Sequence, residues 1–101
     1  MVNSSMEFEW DLSKEKTNLE KHGISFLEAI ECFSDQNGIQ FIDSSHSDSE
    51  ERFYWVGKDS QGRVLTTRFV KRGNKIRIFG SAEWRKFRKL YENAKHEKDE
   101  S

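Results

Sequence analysis

The sequence lacks several features that would assign a chain to a class. It has no proline, no internal repeat and no low-complexity tract, so nothing marks a linker or a second domain. No apolar run approaches the ~20 residues of a membrane span. The opening Met1-Val2-Asn3-Ser4-Ser5 is neither basic nor apolar, which reads as a cytoplasmic start rather than a signal peptide. The single Cys32 excludes an internal disulfide framework and any CxxC metal knuckle. Phe26, Ile30 and Phe33 flank it at helical spacing, which predicts a buried, inert thiol. GxGxxG and GxxxxGK[ST] are absent, so no nucleotide cradle is expected, and without GxSxG serine hydrolysis has no support.

The chain is also poor in apolar residues: 34% are hydrophobic against 35% charged, with a mean hydropathy of −0.93. Eight Phe, three Trp and two Tyr compensate. Each ring buries roughly 150–250 Å², enough for one small core. The expectation is a single domain over 1–101, ordered over about 6–94, with a charged tail at 95–101 that frays.

The net charge of −1 conceals a division. Residues 1–51 carry 3 Lys/Arg and 12 Asp/Glu, whereas residues 52–91 carry 12 Lys/Arg and 2 Asp/Glu. Such a basic segment fits either a polyanion partner or neutralisation by the acidic half of the same fold.

Glu7-Phe8-Glu9-Trp10 alternates as a half-buried strand does. Asp11 or Ser13 caps a charged helix to about His22, with Leu12 and Leu19 as a narrow apolar stripe, and Gly23 ends it. Ser25 and Glu28 form a capping box opening a second helix to about Phe33. Strands follow at 39–42, 52–57, 63–71 and 75–79, the last three joined by tight turns into a meander. A final helix covers about Ala82 to Ala94, with Trp84, Phe87, Leu90, Tyr91 and Ala94 on one side. The order β-α-α-β-β-β-β-α predicts an α+β domain whose antiparallel sheet has helices packed on one face, leaving part of the other to water or a partner.

Ile76 and Ile78 point one way from their strand, so Arg77 stands on the opposite face. Cations mixed with aromatics there suit single-stranded RNA; a solvated sheet face, with Phe79 under the last helix, is the plainer alternative. Arg85, Arg88 and Lys89 cluster within one helical turn, as a phosphate-tracking stripe or as an ordinary charged outer face. His46 sits in a polar loop that lacks the glycine of a calcium loop, and one histidine makes no zinc site. No metal and no cofactor are expected.

Phe8-Glu9-Trp10-Asp11, Lys21-His22-Gly23-Ile24-Ser25-Phe26-Leu27-Glu28-Ala29, His46-Ser47-Asp48 with Glu50-Glu51-Arg52-Phe53, Gly62-Arg63-Val64-Leu65, Ile76-Arg77-Ile78 and Trp84-Arg85-Lys86 resemble BrnT-type toxins across roughly residues 6–92. The resemblance implies a RelE-like α+β fold and a ribonuclease toxin of a type II toxin–antitoxin pair. It further implies a ribbon-helix-helix antitoxin that masks the toxin in a hetero-oligomer. DNA would be reached only through that antitoxin, and no membrane is involved. Two positions depart from the family pattern. Leu12 replaces a frequent Pro, and Glu83 stands where many members have Arg after Ser-Ala, with Arg85 nearby.

On this resemblance, metal-independent RNA cleavage through the ribose 2′-OH would inhibit translation. It needs cations for the phosphorane, a base and an acid. Arg77 and Arg52 are the expected phosphorane ligands, Glu51 or His46 the base, and Tyr91 the acid. Lys21, Arg63, Arg85, Arg88 and Lys89 are the expected RNA-binding residues. The alternative is a degenerate, non-catalytic toxin-like module that pairs with a small DNA-binding antitoxin.

Overall fold

A computed structural model describes residues 7–46 and 49–100, apart from the side chains of 46 and 96–100. The elements are β1 (Glu7–Trp10), α1 (Leu12–His22), α2 (Phe26–Glu31), a 3₁₀ turn (Cys32–Ser34), β2 (Ile39–Ile42), a second 3₁₀ turn (Ser44–His46), β3 (Arg52–Lys58), β4 (Val64–Arg72), β5 (Lys75–Ala82) and α3 (Arg85–Glu100). The fold is α+β, with a five-stranded sheet in the order β1-β5-β4-β3-β2. No helix among the described residues is long and apolar enough to cross a membrane.

The sheet is mixed, which corrects the antiparallel expectation. β2 to β5 form an antiparallel meander, but β1 lies parallel to β5, with Glu7 beside Lys75 and Trp10 beside Ile78. Parallel neighbours need a long crossover, and here nearly the whole chain supplies it. The two 3₁₀ turns also interrupt the expected element order.

Asp11 caps α1 by accepting from Ser13 N at 2.8 Å, and Gly23 closes it in the left-handed region at φ 68°. A side chain rarely tolerates that conformation, which is why a glycine stands there. Leu12 and Leu19 do not form an apolar stripe against the sheet; they are 76% and 45% exposed. The buried residue of α1 is Asn18. Its amide Nδ2 donates to Ile24 O and Ser81 O, and its Oδ1 accepts from Ser81 N.

The Ser25–Glu28 capping box opens α2 as expected, but the helix ends at Glu31. The carbonyl of Cys32 turns instead toward Trp55, accepting from Nε1 at 2.6 Å, and the chain tightens into the first 3₁₀ turn. Phe33 on that turn stacks on Trp55 (5.6 Å, 10°) and meets Phe69 edge-on (5.2 Å, 79°). With Ile24, Phe26, Phe53, Leu65, Ile76 and Ile78 these rings form the main core. Each ring buried so completely contributes about 1.5–3 kcal/mol. Cys32 is buried there, and desolvation pushes its thiol up to about 12, as an inert group requires.

α3 covers only part of the opposite face, packing Tyr91 and Phe87 on Val56, Val64 and Phe41. It begins at Arg85 rather than Ala82 because β5 runs on through Ala82, where Ser81 is gripped by Asn18. It also continues past Ala94, through Glu100.

Candidate functional site

The sheet face opposite the main core is built in cross-strand rows. One row is Arg52, Val70, Arg77 and Glu9; the next is Phe41, Tyr54, Arg68 and Gly80; the third is Ile39, Val56, Thr66 and Ala82. α3 lies over the third. Through Phe87 it also reaches Phe41 and Tyr54 of the second. Five of the eight residues in the first two rows are Arg or aromatic, placed by alternation along β2 to β5.

Between these rows β5 is irregular. Phe69 pairs with Ile78 and Arg68 with Gly80, so Phe79 is an extra, bulged residue. Its ring lies on this face, where the Lys14 ammonium lies 4.8 Å and the Arg52 guanidinium 5.1 Å from its centroid. Phe79 is therefore under α1 and β3 rather than under the last helix. Gly80 follows with no side chain, and the space its Cβ would occupy holds the Arg68 guanidinium, Nη2 at 2.8 Å.

A groove of about 390 Å³ opens between α1 and these strands. Lys14, Lys21 and His22 enter from α1, with the Ser13 and Thr17 side chains and Asn18 beside them. Arg52, Arg68 and Phe79 enter from the sheet. None of the residues lining it carries a carboxylate. Two Lys and two Arg side chains face a concave surface with an aromatic floor, the pattern that binds a chain of phosphates with bases attached.

The expected site residues divide. Lys21 and Arg52 line this groove. Arg77 stands in the first row, on the predicted face, two strands from Arg52 and so about 10 Å away. It is half-buried and ion-paired to Glu9, Nη1 to Oε2 at 2.6 Å. Glu51 is exposed and precedes β3, out of phase with Arg52. The His46 side chain lies outside the described residues.

Tyr91, Arg63 and Arg88 lie elsewhere. They border a separate cleft of about 560 Å³ that also contains Glu83 and Glu92. Tyr91 packs on Val64, six residues or about 20 Å along β4 from Val70, the neighbour of Arg77. It is 1% exposed and donates its hydroxyl to Asp35 Oδ2 at 2.5 Å. Burial, then the Asp35 carboxylate, raises its pKa far above the ordinary tyrosine value, so its proton is held. Burial alone would raise Asp35, but donors Tyr91 Oη, Lys58 N and Asn37 N together hold it below the usual range.

The Arg63 guanidinium is committed to Glu28 and to the buried Asp59, with Nε 3.0 Å from Asp59 Oδ2. Arg88 reaches Glu92 at 3.5 Å along its own helix. Arg85 and Lys89 are exposed on α3. Among the described residues, no three His, Cys, Asp or Glu side chains converge as a metal-ligand set.

Lys14, His22, Arg68 and Phe79 complete the groove and were not singled out as site residues from sequence. Alternation along β4 puts Arg68 on one side with Val64, Thr66 and Val70, but nothing local to β4 says that α1 closes over that side.

Residues 10–87 match the family described as "Ribonuclease toxin, BrnT, of type II toxin-antitoxin system". The crystal structure of the Brucella abortus ribonuclease toxin BrnT superposes with a TM-score of 0.61 at 20% identity, covering 78% of this chain and 96% of that one. The two chains share a fold. No curated protein matches this sequence.

Proposed function

The chain belongs to the BrnT family of ribonuclease toxins of type II toxin–antitoxin systems, and on that premise we propose that the groove between α1 and the sheet binds and cleaves RNA. The observation that carries the reading is the groove's lining: Lys14, Lys21, Arg52 and Arg68 around Phe79, with no carboxylate among them. Such a lining draws phosphates toward it.

The chemistry follows from the groups present. Arg52, Arg68 and Lys14 hold the scissile phosphate, and Arg77, oriented by Glu9, steadies the charge that grows on the phosphorane. His22 takes the place that the sequence suggested for His46 or Glu51. It accepts the 2′-OH proton while the 2′ oxygen bonds to phosphorus. The P–O5′ bond then breaks, and the leaving oxygen takes a proton from solvent. The products are a 2′,3′-cyclic phosphate and a 5′-hydroxyl, with no metal in the sequence of steps. In the cell such cleavage would act on RNA in the cytoplasm and inhibit translation.

A toxin of this family is paired with an antitoxin. We assign the partner's contacts to the basic surface of residues 52–91, met by acidic side chains, with a ribbon-helix-helix part left free to bind operator DNA. The complex is then a hetero-oligomer whose antitoxin blocks RNA by occupation and by charge.

The test is purified chain with single-stranded RNA, with and without chelator. Cleavage that persists in chelator, leaves cyclic phosphate ends and disappears in Arg68→Ala and His22→Gln is the expected result. Activity that vanishes in chelator and returns with magnesium overturns the mechanism. RNA that is bound but never cut favours the non-catalytic module instead.

A further inference from the structure

The fold accounts for two of the three tryptophans. Trp55 is buried against Phe33, and Trp10 meets Phe26 edge-on in the same core. Trp84 belongs to neither core cluster. It stands before α3, 36% exposed, and its ring touches Tyr54 (5.7 Å, 61°) and Phe87 (5.7 Å, 31°). Tyr54 in turn lies 5.1 Å from Phe87, so the three rings hold one another in place. Burial and a hydrogen bond to Asp43, itself 7% exposed, raise the Tyr54 hydroxyl pKa and fix that ring from below. The result is a preformed aromatic shelf with one large ring open to solvent.

Its position gives it a use. Tyr54 is the direct cross-strand neighbour of Arg68, and Arg68 lines the cationic groove. Adjacent strands are about 4.8 Å apart, so the shelf and the groove are one continuous surface, phosphate-binding on one side and aromatic on the other. A polynucleotide laid in the groove presents bases on the side away from its phosphates. Only an unpaired base has a face free to stack on a ring.

We infer that Trp84, supported by Tyr54, forms a nucleobase-stacking subsite beside the groove, and that it selects unpaired RNA segments over duplex. The inference rests on the groove being the RNA site. Trp84 is a binding and specificity residue here, not a catalytic one.

The probe is a short single-stranded 2′-deoxy oligonucleotide, which lacks the attacking hydroxyl. Its abasic counterpart of equal length carries the same phosphates. Titrations follow tryptophan fluorescence and anisotropy on the full chain. The parent should show quenching by the based strand and not by the abasic one. Trp84→Ala should weaken the based strand roughly 5- to 150-fold, the range of one base–aromatic stack, and leave the abasic strand unchanged; Trp84→Phe should recover most of the loss. Equal affinities of parent and Trp84→Ala for the based strand overturn the inference while the groove stands. Abasic strands that fail to bind the parent overturn the groove and the inference together. A Trp84→Ala chain that keeps oligonucleotide binding but loses its antitoxin makes the shelf a protein-docking surface, which also overturns it.

Discussion

The amide of Asn18 pairs with the backbone of Ser81 as a neighbouring strand would: Oδ1 accepts from Ser81 N at 3.0 Å and Nδ2 donates to Ser81 O at 2.9 Å. β1 stops beside Ile78, so the far end of β5 has no strand there, and one side chain of α1 fills that role. The same contact ties α1 to the end of β5 beside the groove, which Asn18 also lines. Asn18→Ala leaves three buried backbone groups unpaired, those of Ser81 and the Ile24 carbonyl. The expected loss is about 2–4 kcal/mol, read as a lower urea midpoint at unchanged m. An unchanged midpoint would show that these bonds contribute nothing.

Gly80 tests the groove without disturbing the core. A methyl there meets the flexible end of Arg68 rather than backbone, so Gly80→Ala should fold with a stability change within about 0.5 kcal/mol. The displaced guanidinium should cost RNA affinity. The salt dependence of binding to a single strand should flatten by about 0.7 in log–log slope, one phosphate contact. A slope equal to the parent's would remove Arg68 from the phosphate path.

Arg63 should behave in the opposite way. Its guanidinium bridges Glu28 and the buried Asp59. Arg63→Ala leaves Asp59 Oδ2 without its guanidinium donor and should destabilise by about 1–3 kcal/mol, with oligonucleotide affinity unchanged. Lys14→Ala is the converse, weakening binding with little effect on unfolding. Reversed results would move the binding surface to the cleft beside α3.

Tyr91→Phe removes the hydroxyl that donates to Asp35. Stability should fall by about 1.5–3 kcal/mol, as for a bond to a charged acceptor, and RNA cleavage by the refolded chain should equal the parent's. Loss of cleavage in a stably folded Tyr91→Phe would restore Tyr91 as the acid.

Asp35 also predicts an acid limb. Its folded pKa lies below the unfolded value of about 3.9, so its contribution is complete above that pH and is lost as pH falls through the folded value. Thermal midpoints of the parent should drop below about pH 4, and Asp35→Asn should start lower at neutral pH and flatten that drop. Parallel curves would show that other carboxylates govern acid unfolding.

What was legible in sequence was local. The β2 strand and the β3–β4–β5 hairpins follow from alternation and from turns such as Arg72-Gly73-Asn74, because each signal lies within a few residues of its effect. The Ser25–Glu28 box and the Gly23 stop are legible for the same reason. Alternation also placed Arg77 opposite Ile76 and Ile78. What was hidden depends on distant segments. Asn18 looks like one more polar residue on a charged helix until Ser81, 63 positions on, meets it. The parallel partner of β1 cannot be read from Phe8 and Trp10 alone. Nothing in the run Ile76 to Phe79 says that Lys14 of α1, rather than α3, lies over the Phe79 ring. Tyr91 and Arg63 looked available because their acidic partners were not visible as partners: Asp35 is 56 positions from Tyr91, and Asp59 reads as a turn residue.

The pairing of β1 with β5 has a consequence for manufacture. A ribosome releases the N-terminal end first, and loops this long close late because their ends must be gathered from afar. A chain interrupted between His22 and Ser81 has the α1 residues but no strand for Asn18 to grip, and one interrupted before Lys75 also lacks Arg77 and Phe79. Translation products that stop before β5 therefore carry no groove. A cell that makes this protein meets the groove only once β5 has been synthesised.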